Sequence, residues 1–304
     1  MDETMLLYFD DEHDAALRLA DAAGCAATRV HRHRFPDGEF KVRVPTDLPP
    51  HVVVYRSMTD PNDKLIELLL TAQTARAQGA HRLTLVAPYL AYMRQDIEFL
   101  PGESISQRIV GRFLAGLFDA LITVDPHLHR VDVLGDAVPV VQPVCLSAAP
   151  LLAEWVARER DRPLLIGPDA ESVQWVASAA EAGGLEHAVC TKVRHGDREV
   201  EVVLPPLPAA ALEGRAVVIL DDVVSTGQTV VEAARVLRAA GVASVDLAIT
   251  HALFEAGAYE RVRAAGVGAV WSADGVAHVT NAVALAPLLA AALSQLDERA
   301  PLLP

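Results

Sequence analysis

Cysteine is scarce in this chain of 304 residues: there are three, Cys25, Cys145 and Cys190, far apart and in no CxxC pair. That spacing argues against a disulfide framework or a zinc site, fits a reducing, cytoplasmic setting, and reads the three thiols as small buried hydrophobes. Long apolar runs are missing too. Hydrophobic residues make up 52% of the chain, yet no stretch reaches the roughly 18 uncharged apolar residues of a membrane span, and the first residues lack the basic-then-apolar layout of a secretory signal. Membrane insertion and secretion are both disfavoured. Basic charge is the third shortage, with 26 Lys and Arg against 40 Asp and Glu for a formal charge of −14. Such a field repels a long polyphosphate backbone, so nucleic acid is not an expected partner. An anionic small ligand would need a local cluster of Lys or Arg, or a metal, to overcome it.

What is present is alternation. Short β-branched runs follow Ala/Leu-rich helical stretches almost from end to end, the pattern of βαβ units around a mostly parallel sheet, so the fold class is α/β. In the first half strands are expected at Met5 to Phe9, Val52 to Arg56, Arg82 to Ala87 and Ala120 to Val124. Helices are expected at Asp14 to Ala23, Asp63 to Gln78 and Ser104 to Leu117, the last capped by Ser104 or Ser106. The alternation restarts after Pro139 with strands at Leu164 to Ile166, Ala216 to Leu220 and Val245 to Ile249, and helices at Ser172 to Ala182, Thr229 to Ala240 and Gly257 to Ala265. At about 150 residues per domain the length predicts two domains, residues 1–140 and 141–304, joined by the proline-bearing crossover Val138 to Pro143.

The most informative stretch runs from Ala216 to Thr229. An apolar strand enters two carboxylates, Asp221 and Asp222, then a tight turn, Ser225-Thr226-Gly227-Gln228-Thr229, then a helix N-terminus. Such a turn aims backbone N–H groups at one spot and the helix dipole adds positive charge, which suits a phosphate monoester. Ser225, Thr226 and Thr229 can add hydroxyl donors, and Gly227 permits close approach or positive φ. The paired acids suit the vicinal hydroxyls of a ribose, directly or through a divalent cation. A plain N-cap followed by solvated acids is the alternative. A Walker A loop is excluded, because the GxxxxGK[ST] spacing and its lysine are missing.

This segment resembles the 5-phosphoribosyl 1-diphosphate loop shared by type I phosphoribosyltransferases and the synthetases that make that compound. Several further segments resemble the synthetases alone. Phe35-Pro36-Asp37-Gly38-Glu39 looks like their FPDGE motif, Arg94-Gln95-Asp96 like their RQD motif, and Pro101 to Ser106 like their next helix start. Asp125-Pro126-His127 resembles their D-L-H, Pro168-Asp169 falls where they carry a metal-binding aspartate, Lys192-Val193-Arg194 matches their K-x-R, and Thr250 to Phe254 is similar to their ATHGVF. The order is right over roughly residues 30–280, and by this resemblance the chain is identified as a member of the ribose-phosphate pyrophosphokinase family.

The resemblance implies two type I phosphoribosyltransferase-type domains and transfer of the β,γ-diphosphoryl group of ATP to the anomeric hydroxyl of ribose 5-phosphate. It implies that Lys192 and Arg194, on alternate positions of a β-like stretch, stabilise the transferring charge. Phe35, Asp37 and Glu39 would recognise adenine with help from Arg94, Gln95 and Asp96. His127 and Asp169 would hold Mg²⁺, with His129 able to share or replace His127. Asp221, Asp222, Ser225, Thr226, Gly227, Gln228 and Thr229 would bind ribose 5-phosphate. A homodimer or higher homo-oligomer is expected, because the family's nucleotide site borrows residues from a neighbouring subunit. Each segment also has a plainer reading: a Pro-Asp-Gly turn between two strands at Phe35 to Glu39, a solvated basic hairpin at Lys192 to Arg194, a hydrogen-bonded histidine at His127. Two other functions share features, a phosphoribosyltransferase consuming the same compound and a non-catalytic regulatory relative. The first needs neither FPDGE nor RQD; the second is expected to lose Lys192, Arg194, His127 or Asp169, and all four are present. The chain departs from the family pattern at Gln228, at Tyr8 to His13 where a small turn is usual, and around His127.

Overall fold

Strands buried on both faces need continuous apolar sequence, and Val52, Val53, Val54, Leu121 and Ile122 are all fully buried. The computed structural model describes residues 4–128, 130–131, 133–195, 199–205, 208 and 212–299. In chain order the first elements are β1 (Thr4–Tyr8), α1 (His13–Ala23), β2 (Ala26–Arg29), β3 (His31–Arg34), β4 (Phe40–Arg43), β5 (His51–Tyr55), α2 (Pro61–Ala77), β6 (Arg82–Ala87), α3 (Ser106–Ala115), β7 (Ala120–Val124), α4 (Leu134–Ala137) and β8 (Gln142–Leu146). There follow α5 (Ala149–Glu159), β9 (Leu164–Gly167), α6 (Val173–Gly183), β10 (Glu186–Val189), β11 (Thr191–His195), β12 (Glu199–Val203), β13 (Ala216–Val224), α7 (Gln228–Ala239), β14 (Ser244–Ala252), α8 (Ala258–Ala264), β15 (Val267–Ala273), β16 (Asn281–Val283) and α9 (Ala286–Arg299).

Two six-stranded parallel sheets result, ordered β2-β1-β5-β6-β7-β8 and β10-β9-β13-β14-β15-β16. The permutation is the same in both, and in both an antiparallel hairpin, β3–β4 or β11–β12, leaves the chain after the sheet's edge strand. The match extends to the caps: α1 ends on Gly24 at φ +63° and α6 on Gly184 at φ +61°, each in the left-handed region that closes a helix without a Cβ penalty.

The compact units are Met1–Leu146 with Leu285–Pro304, and Ser147–Ala284. This differs from a single cut after residue 140 in two ways. Residues Gln142–Leu146 pair in register with β7 as the sixth strand of the first sheet, so the presumed crossover is partly strand, and Pro143 is tolerated there because β8 is an edge. The terminal helix α9 buries Leu289, Leu293 and Leu296 and packs on α1 of the first unit, where Arg82 donates to the Leu296 carbonyl at 3.2 Å. The cysteines also differ from expectation: Cys190 is buried and Cys25 half-buried, but Cys145 is exposed on the edge strand β8.

No side chain caps α3: it starts at Ser106, and Ser104 and Ser106 bond each other through their hydroxyls at 3.3 Å. What fixes α3 is Gly111, where an added Cβ would lie 1.8 Å from the carbonyl oxygen of Ala137 in α4. Alanine gains about 1 kcal/mol of helix propensity over glycine, but backbone cannot yield as a side chain end can, and overpacking of this kind costs up to about 3 kcal/mol. We expect Gly111→Ala to lower stability by about 2 kcal/mol net. A urea unfolding curve with an unchanged or raised midpoint would show that α3 and α4 do not meet this closely.

Candidate active site

In the second unit, β13 pairs with β9 only from Val217 to Ile219 but with β14 as far as Val224. The strand therefore overhangs its neighbour, and Asp221 and Asp222 sit at the carboxyl end of the sheet, where open α/β sheets bind ligands. Asp222 is buried and Asp221 half-buried, and an Asp221 carboxylate oxygen accepts from the Asp222 N–H at 3.0 Å. The turn beyond them is held from both sides. The Glu255 N–H donates to the Ser225 carbonyl at 3.2 Å, and the Arg261 guanidinium donates to the Thr226 carbonyl at 3.2 Å while pairing with Glu255 at 2.9 Å. Arg261 brings positive charge to the loop, and nothing in its sequence position in α8 announces this.

Gly227 caps α7 at φ +74°, and a Cβ there would lie 2.8 Å from a methyl of Val262. The position therefore requires glycine both for its dihedral and for the close approach of α8. The Thr226 hydroxyl accepts from the Gln228 N–H at 3.3 Å, and the N–H groups of the next residues in the first turn, like those of any helix start, have no acceptor inside the helix. The Gln228 side chain is turned along α7, donating to Glu232 at 3.0 Å. The departure from the family pattern at this position thus bears on the helix surface; Gln228 offers the turn its backbone.

Asp169 lies beside these residues in the fold, at the end of β9, the strand next to β13. Its carboxylate accepts from the Glu171 N–H at 3.0 Å and caps the single 3₁₀ turn Ala170–Ser172. Lys192 and Arg194 occupy alternate positions of β11, opposite Val202 and Val200 of β12; their side chains, and residues 196–198, lie outside the described residues. Among the expected residues, the second unit thus brings Asp169, Asp221, Asp222 and the turn Ser225 to Thr229 to one end of one sheet.

The remaining expected residues belong to the first unit. Phe35-Pro36-Asp37-Gly38-Glu39 is the loop of the β3–β4 hairpin, closed by the Phe35 N–H on the Glu39 carbonyl at 2.8 Å. The plainer reading of this segment as a turn is therefore correct as to structure, and it does not compete with a ligand role. Phe35 is 38% exposed, its ring edge-on to His33 at 4.7 Å and 5.9 Å from the Lys41 ammonium. Asp37 accepts from the Glu39 N–H at 3.2 Å, and Glu39 is exposed.

Arg94, Gln95 and Asp96 divide in role. Arg94 is exposed. Gln95 is spent on its own loop, donating to the Ile97 carbonyl at 3.1 Å and to Glu103 at 3.3 Å. The Asp96 carboxylate is buried and taken by Arg130 at 2.8 and 3.1 Å, which ties the 94–103 loop to the segment that follows β7 and carries His127. Half-buried His127 follows Asp125, itself at the unusual φ of +39°; His129 lies outside the described residues.

The turn of the first unit equivalent to Asp221–Thr229 runs from β5 to α2 and has no phosphate cradle. Arg56, 1% exposed, fills it. Its guanidinium lies 4.4 Å from the centre of the Phe9 ring and donates to Asp11 at 2.8 and 2.9 Å, to Glu12 at 3.0 Å, and to Glu67. Lys64 adds contacts to the Ser57 carbonyl at 2.6 Å and the Thr59 hydroxyl at 2.9 Å. Burial pushes the Glu12 carboxyl up to about 7, against the pull of Arg56 and Lys64. The unusual Tyr8 to His13 segment is thereby explained: Asp11 and Glu12 are the counter-charges of a buried arginine.

A duplicated parallel α/β fold, with an acid–acid–hydroxyl–glycine turn in its second half only, defines a two-domain protein of the phosphoribosyltransferase type. Residues 4–117 match the N-terminal domain of ribose phosphate pyrophosphokinase, and residues 145–271 match the phosphoribosyl transferase domain. The ribose-phosphate pyrophosphokinase of Methanopyrus kandleri is 38% identical over 287 residues, 92% of this chain and 95% of that one. That of Halobacterium salinarum is 34% identical over 292 residues, 95% of this chain and 100% of that one. The chain belongs to the ribose-phosphate pyrophosphokinase family. Its fold is that of the crystal structure of phosphoribosylpyrophosphate synthetase from Mycobacterium smegmatis, with a TM-score of 0.84 at 24% identity over 98% of this chain and 100% of the other.

Proposed function

We propose that this chain transfers the β,γ-diphosphoryl group of ATP to the anomeric hydroxyl of ribose 5-phosphate, giving 5-phosphoribosyl 1-diphosphate and AMP. The ribose 5-phosphate half of the reading is carried by the Asp221 to Thr229 segment, in which carboxylates for a sugar and helix N–H groups for its phosphate stand next to one another at a sheet's carboxyl end, and the match of residues 4–117 to the pyrophosphokinase N-terminal domain supports the rest. The turn Ser225 to Thr229 holds the 5-phosphate, and Asp221 and Asp222 hold the ribose hydroxyls or their cation. Phe35 stacks on adenine, Asp37 and Glu39 accept from its amino group, and exposed Arg94 assists, with Gln95 and Asp96 shaping the loop that presents it.

Lys192 and Arg194 stabilise the charge that spreads over the transferring group. A phosphoryl displacement of this kind rests on in-line positioning and charge stabilisation and needs no covalent nucleophile. Mg²⁺, when bound with ATP, neutralises phosphate charge. It is a hard cation content with one or two protein carboxylates besides phosphate oxygens and water, and Asp169 at the end of β9 would supply one, with His127 the candidate ligand in the first unit. The active unit is at least a homodimer working in a reducing cytoplasm.

The competing reading, a phosphoribosyltransferase, is separated by omission of substrates. Release of AMP should require both ATP and ribose 5-phosphate. Incubation with 5-phosphoribosyl 1-diphosphate and a purine or pyrimidine base, without ATP, should release no pyrophosphate; release there, with no AMP from the first mixture, would reverse the assignment.

A further inference from the structure

Hairpin β3–β4 forms a two-stranded sheet of its own, and such a sheet is marginal in water without an anchor. Its apolar anchor is Val42, opposite Arg32 and packed on the core of the first unit, and beside it stands a ladder of charges on α2. Glu67, fully buried, shares its carboxylate between Arg56 at the end of β5 and Arg32 on β3. One turn earlier Asp63 pairs with Arg34 at 2.7 Å. The spacing matches: two residues of strand rise about 6.6 Å and four residues of helix about 6 Å, so Arg32 and Arg34 meet Glu67 and Asp63 in step. Phe40, directly opposite Arg34 across the hairpin, lies on the same face with the guanidinium groups of Arg34 and Arg32 at 4.9 and 6.0 Å from its ring centre. The other face carries His33 opposite Lys41, and Phe35 at the tip packs against both.

The two rungs differ in weight. Arg34 and Asp63 are each more than half exposed, so water and salt screen them and the pair contributes little. Glu67 has no exposure, and losing Arg32 would leave one of its oxygens buried without a donor. We propose that Glu67 is a positioning residue: fixed by Arg56 in the body of the first unit, it clamps hairpin β3–β4 on α2 through Arg32 and so sets where Phe35 to Glu39 stand for the nucleotide. The inference rests on the reading of that loop as the adenine site. The buried arginine that fills the first unit's empty phosphate turn thus gains a second use, since its counter-charge reaches the nucleotide hairpin.

Glu67→Gln removes a fully buried charge from the Arg56 cluster, leaving Arg56 only Asp11 and Glu12, and risks misfolding, so the deciding variant is Arg32→Gln, which leaves the buried Glu67–Arg56 pair intact. Amide hydrogen exchange across residues 31–43 is expected to quicken by about tenfold, and the ATP KM to rise by about tenfold, with the ribose 5-phosphate KM and kcat at saturating ATP within about twofold of the parent. Arg32→Lys, which keeps the charge for a single contact, should recover most of both effects, and Arg34→Gln should change the ATP KM less than about threefold. Phe35→Ala in the same series separates the two layers. If it raises the ATP KM while Arg32→Gln does not, the clamp is wrong and the adenine site stands; if Phe35→Ala leaves the ATP KM unchanged, both are wrong.

Discussion

Alanine at Lys192 or at Arg194 is expected to cut kcat by about 10²- to 10³-fold, the loss seen when a donor aimed at developing charge is removed. The thermal midpoint should stay within about 2 °C, because among the described residues the hairpin that carries them pairs with no strand of the main sheet. The argument is one of charge. A protein with a formal net charge of −14 must gather several phosphate oxygens, and cations are needed where the transferring group stands. Lys192 and Arg194 occupy alternate positions of one strand, β11. Steady-state kinetics run beside thermal melts decide the matter: a loss below about tenfold in both variants removes them from the chemistry.

The second large effect separates the sugar from its phosphate. Asp222→Asn keeps the shape of a buried side chain but removes a charge that holds hydroxyls or a cation, so turnover should fall and the requirement for Mg²⁺ or ribose 5-phosphate should rise. Thr229→Val, nearly isosteric in the first turn of α7, removes one hydroxyl donor that no cation replaces. It should weaken ribose 5-phosphate by about 1 to 3 kcal/mol and leave the ATP constant nearly unchanged. Titration of each substrate against each variant reads the difference directly. Damage to ATP binding by Thr229→Val, with the sugar phosphate spared, would mean that the loop serves the other substrate.

How much of this could be read in the sequence follows from how local each feature is. The apolar runs of β5, β6, β7 and β13 and the helices α2, α3 and α6 are plain in the sequence, because a parallel strand buried on both faces is a contiguous signal, whereas α4, α5 and β15 are absent from that reading. Edge strands β2 and β10, with partly exposed four-residue sequences, and β16, with three residues, carry too little pattern to be seen. Pro143 hid β8, and the return of α9 to the first unit depends on partners at the opposite end of the chain.

The site divides in the same way. Asp221 to Thr229 was legible because strand, acids, turn and helix start are consecutive, and Phe35 to Glu39 was legible as a turn for the same reason. The fate of Asp96 was not, since its partner Arg130 is 34 residues away and arrives only through the fold. Nor was the cluster around Arg56, whose acids come from the short turn between β1 and α1 and from α2. Those acids explain the irregular Tyr8 to His13 segment, which sequence comparison alone could mark only as a departure.

The central claim is that a diphosphoryl group moves in one step to the anomeric oxygen of ribose 5-phosphate. ATP whose γ-phosphoryl group is labelled with oxygen-18, incubated with the protein, Mg²⁺ and ribose 5-phosphate, tests it most directly when the isotope-shifted products are followed by phosphorus resonance. The expected result is unlabelled AMP in an amount equal to 5-phosphoribosyl 1-diphosphate, with all of the label in the terminal phosphorus of its diphosphate. Labelled phosphate on the sugar as a monoester, with ADP as the other product, would contradict the account.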